Sequence, residues 1–351
     1  MRCESNVTDQ SRSTSGRYEP SLWHHRIMWW IQKMPTGLVM RSTGSRYLVR
    51  GEDSSLHECV ARGNLRIKGW KSTNPVAVGD RVDYLPQMSD EEVGSIMELH
   101  ERTNYIVRKS VNLSHHKHVI AANLDQALVL VTVARPRTSF GFIDRILVTA
   151  ETYQVPVVVV VNKVDDLDEE EQDLLFEVVD IYQEAGYPVV MTAALQGKGL
   201  KEVKELIAGK VTLVVGHSGV GKSTLVNAID PELDLHTLEI SEASGKGQHT
   251  TTNAEMYEVA AIKAERPTFI IDTPGIKGFG LVDLEASHIG DQFPEMFKLK
   301  GDCRFNDCLH KDEPGCAVRK AVEEGRVAES RYRSYIDMLN GVEEDSPYRT
   351  E

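Results

Sequence analysis

Residues 211–229 read VTLVVGHSGVGKSTLVNAI. Five residues of strand character run into Gly216-His217-Ser218-Gly219-Val220-Gly221-Lys222-Ser223, and the chain from Lys222 onward continues in a helical pattern. This is the spacing G-x4-G-K-[ST], in the strand-to-helix context that gives the motif its meaning. A glycine-rich turn at a helix N-terminus aims backbone N–H groups at one point, which suits a phosphate chain. Lys222 is then expected to reach the β- and γ-phosphates, and the Ser223 hydroxyl, with Thr224 beside it, to meet Mg2+. The plainer alternative is a turn that binds nothing. It gives no reason for Lys222 and Ser223 to stand together.

Working outward, three further motifs end apolar runs. Asn162-Lys163-Val164-Asp165 follows VPVVVVV, Thr192-Ala193-Ala194 follows PVVM, and Asp272-Thr273-Pro274-Gly275 follows TFII. A carboxylate at Asp165 can accept both the N1–H and the 2-amino group of guanine, whereas adenine lacks those donors and would leave it unpaired. The Lys163 stem can lie over the base. Thr192 and Ala193 take the place of a weaker base-contacting loop, on order and spacing alone. Asp272 is placed to support Mg2+, and the Gly275 N–H to meet the γ-phosphate. Each motif alone also reads as a polar turn at a strand end; in company they read as one nucleotide site.

Between the glycine-rich turn and Asp272 lies GKGQHTTT (245–252). Thr251 is the first choice, and Thr250 the second, for the group that meets Mg2+ when a γ-phosphate is present. His249 is a candidate for positioning the attacking water, against the alternative of a loop histidine facing solvent. Ile276 stands where many small GTPases carry a water-orienting glutamine, so intrinsic hydrolysis is expected to be slow and partner-dependent.

The runs QALVLVTVA, VPVVVVVNKVD, PVVMTAA, KVTLVVGHSG and TFIIDTPG alternate with the amphipathic stretches FIDRILVTAETY (142–153) and EEEQDLLFEVVDIYQEAG (169–186). Fully apolar strands between such helices predict a parallel sheet covered on both faces, with ligands beyond the carboxyl ends of its strands. The fold class expected is an α/β P-loop NTPase. Its motif order is unusual: the NKxD motif comes before the phosphate loop instead of after it. Cutting a GTPase between its DTPG and NKxD strands and rejoining the old termini gives this order and keeps every site contact. The core is therefore expected to be a circularly permuted GTPase.

The flanks read differently. GLVMRSTGSRYLVRG (37–51), HECVARGNLRI (57–67) and GDRVDYL (79–85) alternate apolar with polar residues between turn signals, which predicts a small antiparallel barrel. A five-stranded barrel of oligonucleotide-binding type fits the length, and a barrel serving only as a spacer fits it as well. After residue 280 strand signals stop. Cys303-x4-Cys308-x-His310-x5-Cys316 offers three thiolates and an imidazole, the ligand set of a closed structural Zn2+ site, with unligated surface cysteines as the rival reading. His115, His116 and His118 have no such company and read as a linker. The expected division is an extension or overlong start over 1–34, a barrel over 35–112, the permuted core over 113–279 and a small helical zinc domain over 280–351.

Composition bounds the rest. No apolar run approaches the ~20 residues needed to span a bilayer. The odd cysteine count, 5, with three of them close to His310, argues for a metal site in a reducing compartment over a disulfide framework. The net charge of −13 is uneven: +2 over 1–34, +1 over 35–116 and −16 beyond. A polyanion is tolerated at the barrel and repelled elsewhere.

With RGNLR, VGDRV, AANLDQALVLV, NKVD, GHSGVGKST, GQHTTT, DTPGI and the CxxxxCxH…C cluster in view, the sequence from about Gly37 to Gly341 resembles the bacterial small-ribosomal-subunit biogenesis GTPase A family (RsgA, also called YjeQ or YloQ). The resemblance implies an N-terminal OB-fold, a central permuted GTPase and a C-terminal zinc domain. It implies binding to the 30S subunit and its 16S rRNA late in maturation, with GTP hydrolysis stimulated by the subunit and coupled to release. The family's candidate catalytic histidine maps to His249, and its hydrophobic replacement of glutamine to Ile276. Potassium dependence is not implied, because Gly219 stands where potassium-dependent GTPases carry Asn. The expected protein is a cytoplasmic monomer that binds GTP and GDP and no membrane. A different class remains as the alternative: a nucleotide-gated rRNA-binding module with incidental hydrolysis.

Overall fold

The computed structural model describes residues 34–62, 65, 75–87, 93–109, 117–235, 254–273 and 284–342. The segments 1–33, 236–253 and 274–283 therefore lie outside it, and with them the expectations placed on His249, Thr250, Thr251, Gly275 and Ile276.

The barrel is built from β1 (Thr36–Ser42), β2 (Tyr47–Gly51), β3 (Leu56–Ala61), β4 (Arg81–Leu85) and β5 (Gly94–Leu99). β1, β2 and β3 pair antiparallel, β3 runs parallel to β5, β5 pairs antiparallel with β4, and β4 closes on β1. That closure is the oligonucleotide-binding topology. Alternation sends Val39, Tyr47, Val49, Val82, Tyr84 and Ile96 inward, together with Cys59. Cys59 is fully buried in this apolar core, and burial pushes its thiol up to about 12.

A hairpin pair, β6 (Tyr105–Lys109) and β7 (Lys117–Ala122), follows the barrel. His118, expected in a linker, lies in β7 opposite Arg108; its companions His115 and His116 lie outside the described residues. The barrel meets this hairpin closely at Gly79, where φ is +88° and an added Cβ would sit 2.1 Å from the Ala122 carbonyl oxygen. Only glycine fits there.

The core alternates β8 (Gln126–Val131), α1 (Phe140–Thr152), β9 (Val157–Asn162), α2 (Glu169–Ala185), β10 (Val189–Thr192), α3 (Leu200–Ile207), β11 (Val211–Val215), α4 (Lys222–Ile229), β12 (Glu255–Glu258) and β13 (Phe269–Asp272). The core strands run in the order β10-β9-β8-β11-β13-β12, parallel except for β12, which is antiparallel to β13. Every residue of β8 and β9 is buried, because helices cover both faces. Val129, Val159, Leu213 and Ile271 pack under α1 and α2, while Leu128, Val160, Val214 and Ile270 pack under α3 and α4. Each fully buried valine of β9 contributes roughly 1.5–3 kcal/mol. Local signals set the helix bounds. Ser139 caps α1 by accepting the Phe142 N–H, and Asp168 and Glu171 form a reciprocal capping box on α2.

β12 also joins the sheet to the barrel. Arg41 of β1 is the register partner of Glu255, and the pairs Arg41–Glu255 (3.3 Å) and Arg50–Glu258 (2.9 Å) flank the junction.

Among the described residues the C-terminal region holds four α-helices: α5 (Ala286–Ile289), α6 (Pro294–Phe297), α7 (Ala317–Glu323) and α8 (Glu329–Leu339). Its apolar cluster includes Phe293, Met296, Val318, Tyr335 and, from α1 of the core, Val148. Beside this cluster, fully buried Arg331 bonds Asp144 of α1 at 2.7 Å and Glu295 at 2.8 and 3.1 Å, with Phe293 against its guanidinium face at 4.6 Å. Among the described residues no helix is long and apolar enough to cross a membrane.

Candidate functional site

The carboxyl ends of β8, β9, β10, β11 and β13 bring the predicted motifs to one edge of the sheet. The phosphate-loop sequence leaves β11 at Val215 and enters α4 at Lys222 with Gly221 as its N-cap, and no side chain caps that helix. Its first backbone N–H groups are therefore free for an anion. Gly221 has φ +97°, and an added Cβ would lie 2.5 Å from Asn162 Nδ2. Ser218 and Gly219 are exposed at the tip, Val220 is buried, and Gly216 and His217 are buried at the base. Ser223 and Thr224 are half-buried in the first turn of α4.

Asn162 ties three loops together. Its Nδ2 donates to the Val220 carbonyl at 2.9 Å, and its Oδ1 accepts from Thr192 Oγ1 at 3.0 Å and from the Ala194 N–H at 3.3 Å. The NKVD turn, the TAA loop and the glycine-rich loop are thus one hydrogen-bonded unit, with Ala193 buried within it. Lys163 has φ +63° and donates from Nζ to the Arg135 carbonyl at 2.8 Å. The Val164 N–H donates to the Thr192 carbonyl at 3.2 Å, and the Asp165 side chain is left exposed.

Lys222 Nζ donates to the carbonyls of Gly216 and His217, at 2.8 and 2.9 Å. Burial pulls its ammonium below the ordinary lysine value, and the charge of Asp272 opposes that. Burial pushes the Asp272 carboxyl up, against the Lys222 charge and the Thr273 N–H. Asp272 Oδ1 is buried without a hydrogen-bond partner. A buried carboxylate oxygen lacking a donor fits the chemistry of a hydrated Mg2+ ion.

His217 was expected only as part of the loop, yet it anchors it. The Thr132 N–H donates to Thr138 Oγ1 at 3.0 Å, the Thr138 hydroxyl lies 2.7 Å from His217 Nε2, and His217 Nδ1 lies 2.9 Å from the Ser218 carbonyl. A carbonyl only accepts, so Nδ1 carries the proton and Nε2 accepts from Thr138. Burial lowers the His217 pKa, with Lys222 and Lys163 adding to it and the Ser218 carbonyl opposing. Thr138 and Arg135 belong to the loop after β8, which no motif in the sequence marks.

The second constellation lies between α6 and α7. One ligand atom each from Cys303, Cys308, His310 and Cys316 lies within 4.8 Å of all the others, and His310 Nδ1 is 3.6 Å from Cys303 Sγ and 3.4 Å from Cys316 Sγ. The edges of a tetrahedral zinc site are roughly 3.5–3.8 Å, given metal–ligand bonds of about 2.0–2.3 Å. The donor set fits zinc, and the cysteines are free thiols, not a disulfide. Around it, the Glu313 carboxylate accepts N–H groups from Leu309, Lys311 and Asp312, and Tyr332 donates to the His310 carbonyl at 2.7 Å. Such outer contacts fix ligand orientation.

Comparison with known proteins matches this architecture. The RsgA GTPase family profile matches residues 99–282, and the RsgA N-terminal domain profile matches residues 36–96. The small ribosomal subunit biogenesis GTPase RsgA of Flavobacterium johnsoniae is 52% identical over 317 residues, covering 90% of this chain and 95% of its own. The chain belongs to the RsgA GTPase family. Its enzyme class is accordingly GTP hydrolase. The Bacteroides fragilis RsgA is 51% identical over 88% of this chain and 97% of its own. Among solved RsgA-type structures, YjeQ from Thermotoga maritima superposes with TM-score 0.69 at 34% identity, covering 88% of this chain and 98% of its own. YloQ, described as a circularly permuted GTPase, gives TM-score 0.66 at 27% identity over 88% and 95%. The permuted strand order is the feature for which YloQ is described, and the barrel coincides with the RsgA N-terminal domain match.

Proposed function

We propose that this chain is a GTPase of small ribosomal subunit biogenesis, the role for which its relatives are named. GTP and GDP bind across the five strand ends. Asp165 reads the guanine edge, Lys163 covers the base, and Asn162, Val164, Thr192 and Ala193 shape the base pocket. The 216–223 turn with Thr224 cradles the phosphates, and Lys222 neutralises them. Ser223 and Asp272 are the residues that would hold Mg2+, which when bound supplies charge neutralisation on the phosphates. Gly275, Thr250, Thr251 and the candidate water-positioning His249 are assigned from sequence alone. One structural Zn2+ closes Cys303, Cys308, His310 and Cys316.

The observation that carries this reading is the Asn162 hub, which makes the base-reading turn and the phosphate loop one unit despite their reversed sequence order. The partner is the 30S subunit through its 16S rRNA, met by the barrel, the part of the chain that escapes the general acidity. The protein acts in the cytoplasm as a monomer, and subunit-stimulated hydrolysis is coupled to its release.

The test is GTP turnover by the full chain with and without isolated small subunits. Acceleration of roughly a hundredfold or more is expected, the scale on which GTPase activators act. Equal rates across independent subunit preparations would sink the ribosome-activated reading.

A further inference from the structure

Arg135, in the loop between β8 and α1, faces the base-reading turn. It has φ +48° and its neighbour Lys163 has φ +63°, two non-glycine residues in the left-handed region. Such a conformation is strained for a residue with a side chain, so surrounding bonds must hold both. Those bonds converge on Arg135. Its carbonyl accepts Lys163 Nζ at 2.8 Å. Its guanidinium donates to Asp166 Oδ2 at 2.8 Å, to Glu171 Oε1 and Oε2 at 2.8 and 2.6 Å, and to the Asp166 carbonyl. Glu171 is itself locked at the start of α2, accepting the Asp168 N–H at 3.0 Å.

One residue therefore grips the chain on both sides of Asp165: Lys163 before it and Asp166 after it. An exposed ion pair by itself adds little to stability. What distinguishes this one is the planar fork, which fixes geometry as well as charge. Lysine at 135 could meet one carboxylate but could not span two.

We infer that Arg135 is a positioning residue for guanine discrimination, setting the Asp165 carboxylate where it meets the base edge. The inference rests on the proposed role of Asp165 as guanine reader. Inosine triphosphate separates this role from general support, because its base lacks the 2-amino group and differs from guanine nowhere else.

The experiment measures kcat and KM for GTP and for inosine triphosphate with full-length wild type, Arg135→Ala, Arg135→Lys and Asp165→Asn. Wild type is expected to prefer GTP by roughly tenfold or more in kcat/KM, the scale of one charge-assisted hydrogen bond. Asp165→Asn should abolish that preference. Arg135→Ala should raise KM for GTP about tenfold, lower kcat less than twofold, and bring the GTP-to-inosine ratio toward one, with Arg135→Lys between it and wild type. If Asp165→Asn behaves as stated but Arg135→Ala keeps the wild-type ratio, this inference alone is overturned. If wild type shows no preference and Asp165→Asn changes nothing, the guanine-reading role of Asp165 falls, and the role of Arg135 with it.

Discussion

The side chain of Asn162 donates to the Val220 carbonyl at 2.9 Å, joining the turn after β9 to the loop after β11 across 58 residues of sequence. A permuted chain keeps a nucleotide site only if such cross-loop bonds survive the reordering, and here the bond is buried. Asn162→Ala would strip Val220 of its donor and leave the Thr192 hydroxyl and the Ala194 N–H without their acceptor. The expected result is a loss of about 1–3 kcal/mol of stability and at least tenfold weaker GDP binding, read by thermal unfolding and fluorescent-nucleotide titration.

Lys222→Ala removes the buried ammonium beside Asp272. GTP turnover should fall by a factor on the order of 100 or more, because charge developing on the phosphates loses its compensation. If the variant leaves the small subunit as readily as wild type does, hydrolysis does not time release. The chain would then act as a nucleotide-gated binder.

Acid should loosen the phosphate loop through His217. Burial holds its folded-state pKa below the unfolded value of about 6.5. A depressed histidine is neutral in the fold, so its stability contribution is complete above the unfolded pKa and is lost as pH falls from there toward the folded pKa. The melting temperature of wild type minus that of His217→Gln should therefore be flat above pH 7 and decline below about pH 6.5. A difference that rises on acidification would contradict the neutral, Nδ1-protonated assignment.

Chelation tests the Cys3His centre. One zinc per chain should be released by a strong chelator, with a loss of stability concentrated in the C-terminal region, because ligand-set binding energy is folding energy there. Cys308→Ser should reproduce the loss without chelator, while Cys59→Ser should leave the zinc content unchanged.

Arg331→Ala should be severe. It leaves the buried carboxylates of Asp144 and Glu295 without their cation, at a cost of about 3–5 kcal/mol in thermal or denaturant unfolding. Replacing all three residues by apolar groups of similar volume should recover most of that stability.

This ion cluster also marks where sequence reading stops. Asp144 and Arg331 are 187 residues apart on two different helices, and nothing in the sequence pattern says they meet. The parallel strands were legible because burial on both faces makes most of their residues apolar. The motifs were legible because each is a fixed run of residue types at the carboxyl end of an apolar strand. The loop holding Arg135 and Thr138 acts through backbone shape and one side-chain bond apiece, which many sequences satisfy. His118 misled for a related reason: a short strand carrying polar residues has no apolar alternation to announce it. α1 begins at Phe140, two residues before the apolar period starts, because Ser139 supplies the cap.

β12 is only four residues long, yet Glu255 has Asp272 as its register partner on one side and Arg41 on the other. Strand side chains alternate with a period of two, so inserting or deleting a single residue within β12 would reverse the facing of the residues on one side of the change, turning Glu255 or Glu258 away from its partner. One of the two ion pairs, Arg41–Glu255 or Arg50–Glu258, would be lost, and the register between barrel and core sheet with it. Length variation among descendants of this sequence should accordingly be tolerated in the turns around 259–267 and forbidden at 255–258, which makes those four positions the molecule's spacing gauge.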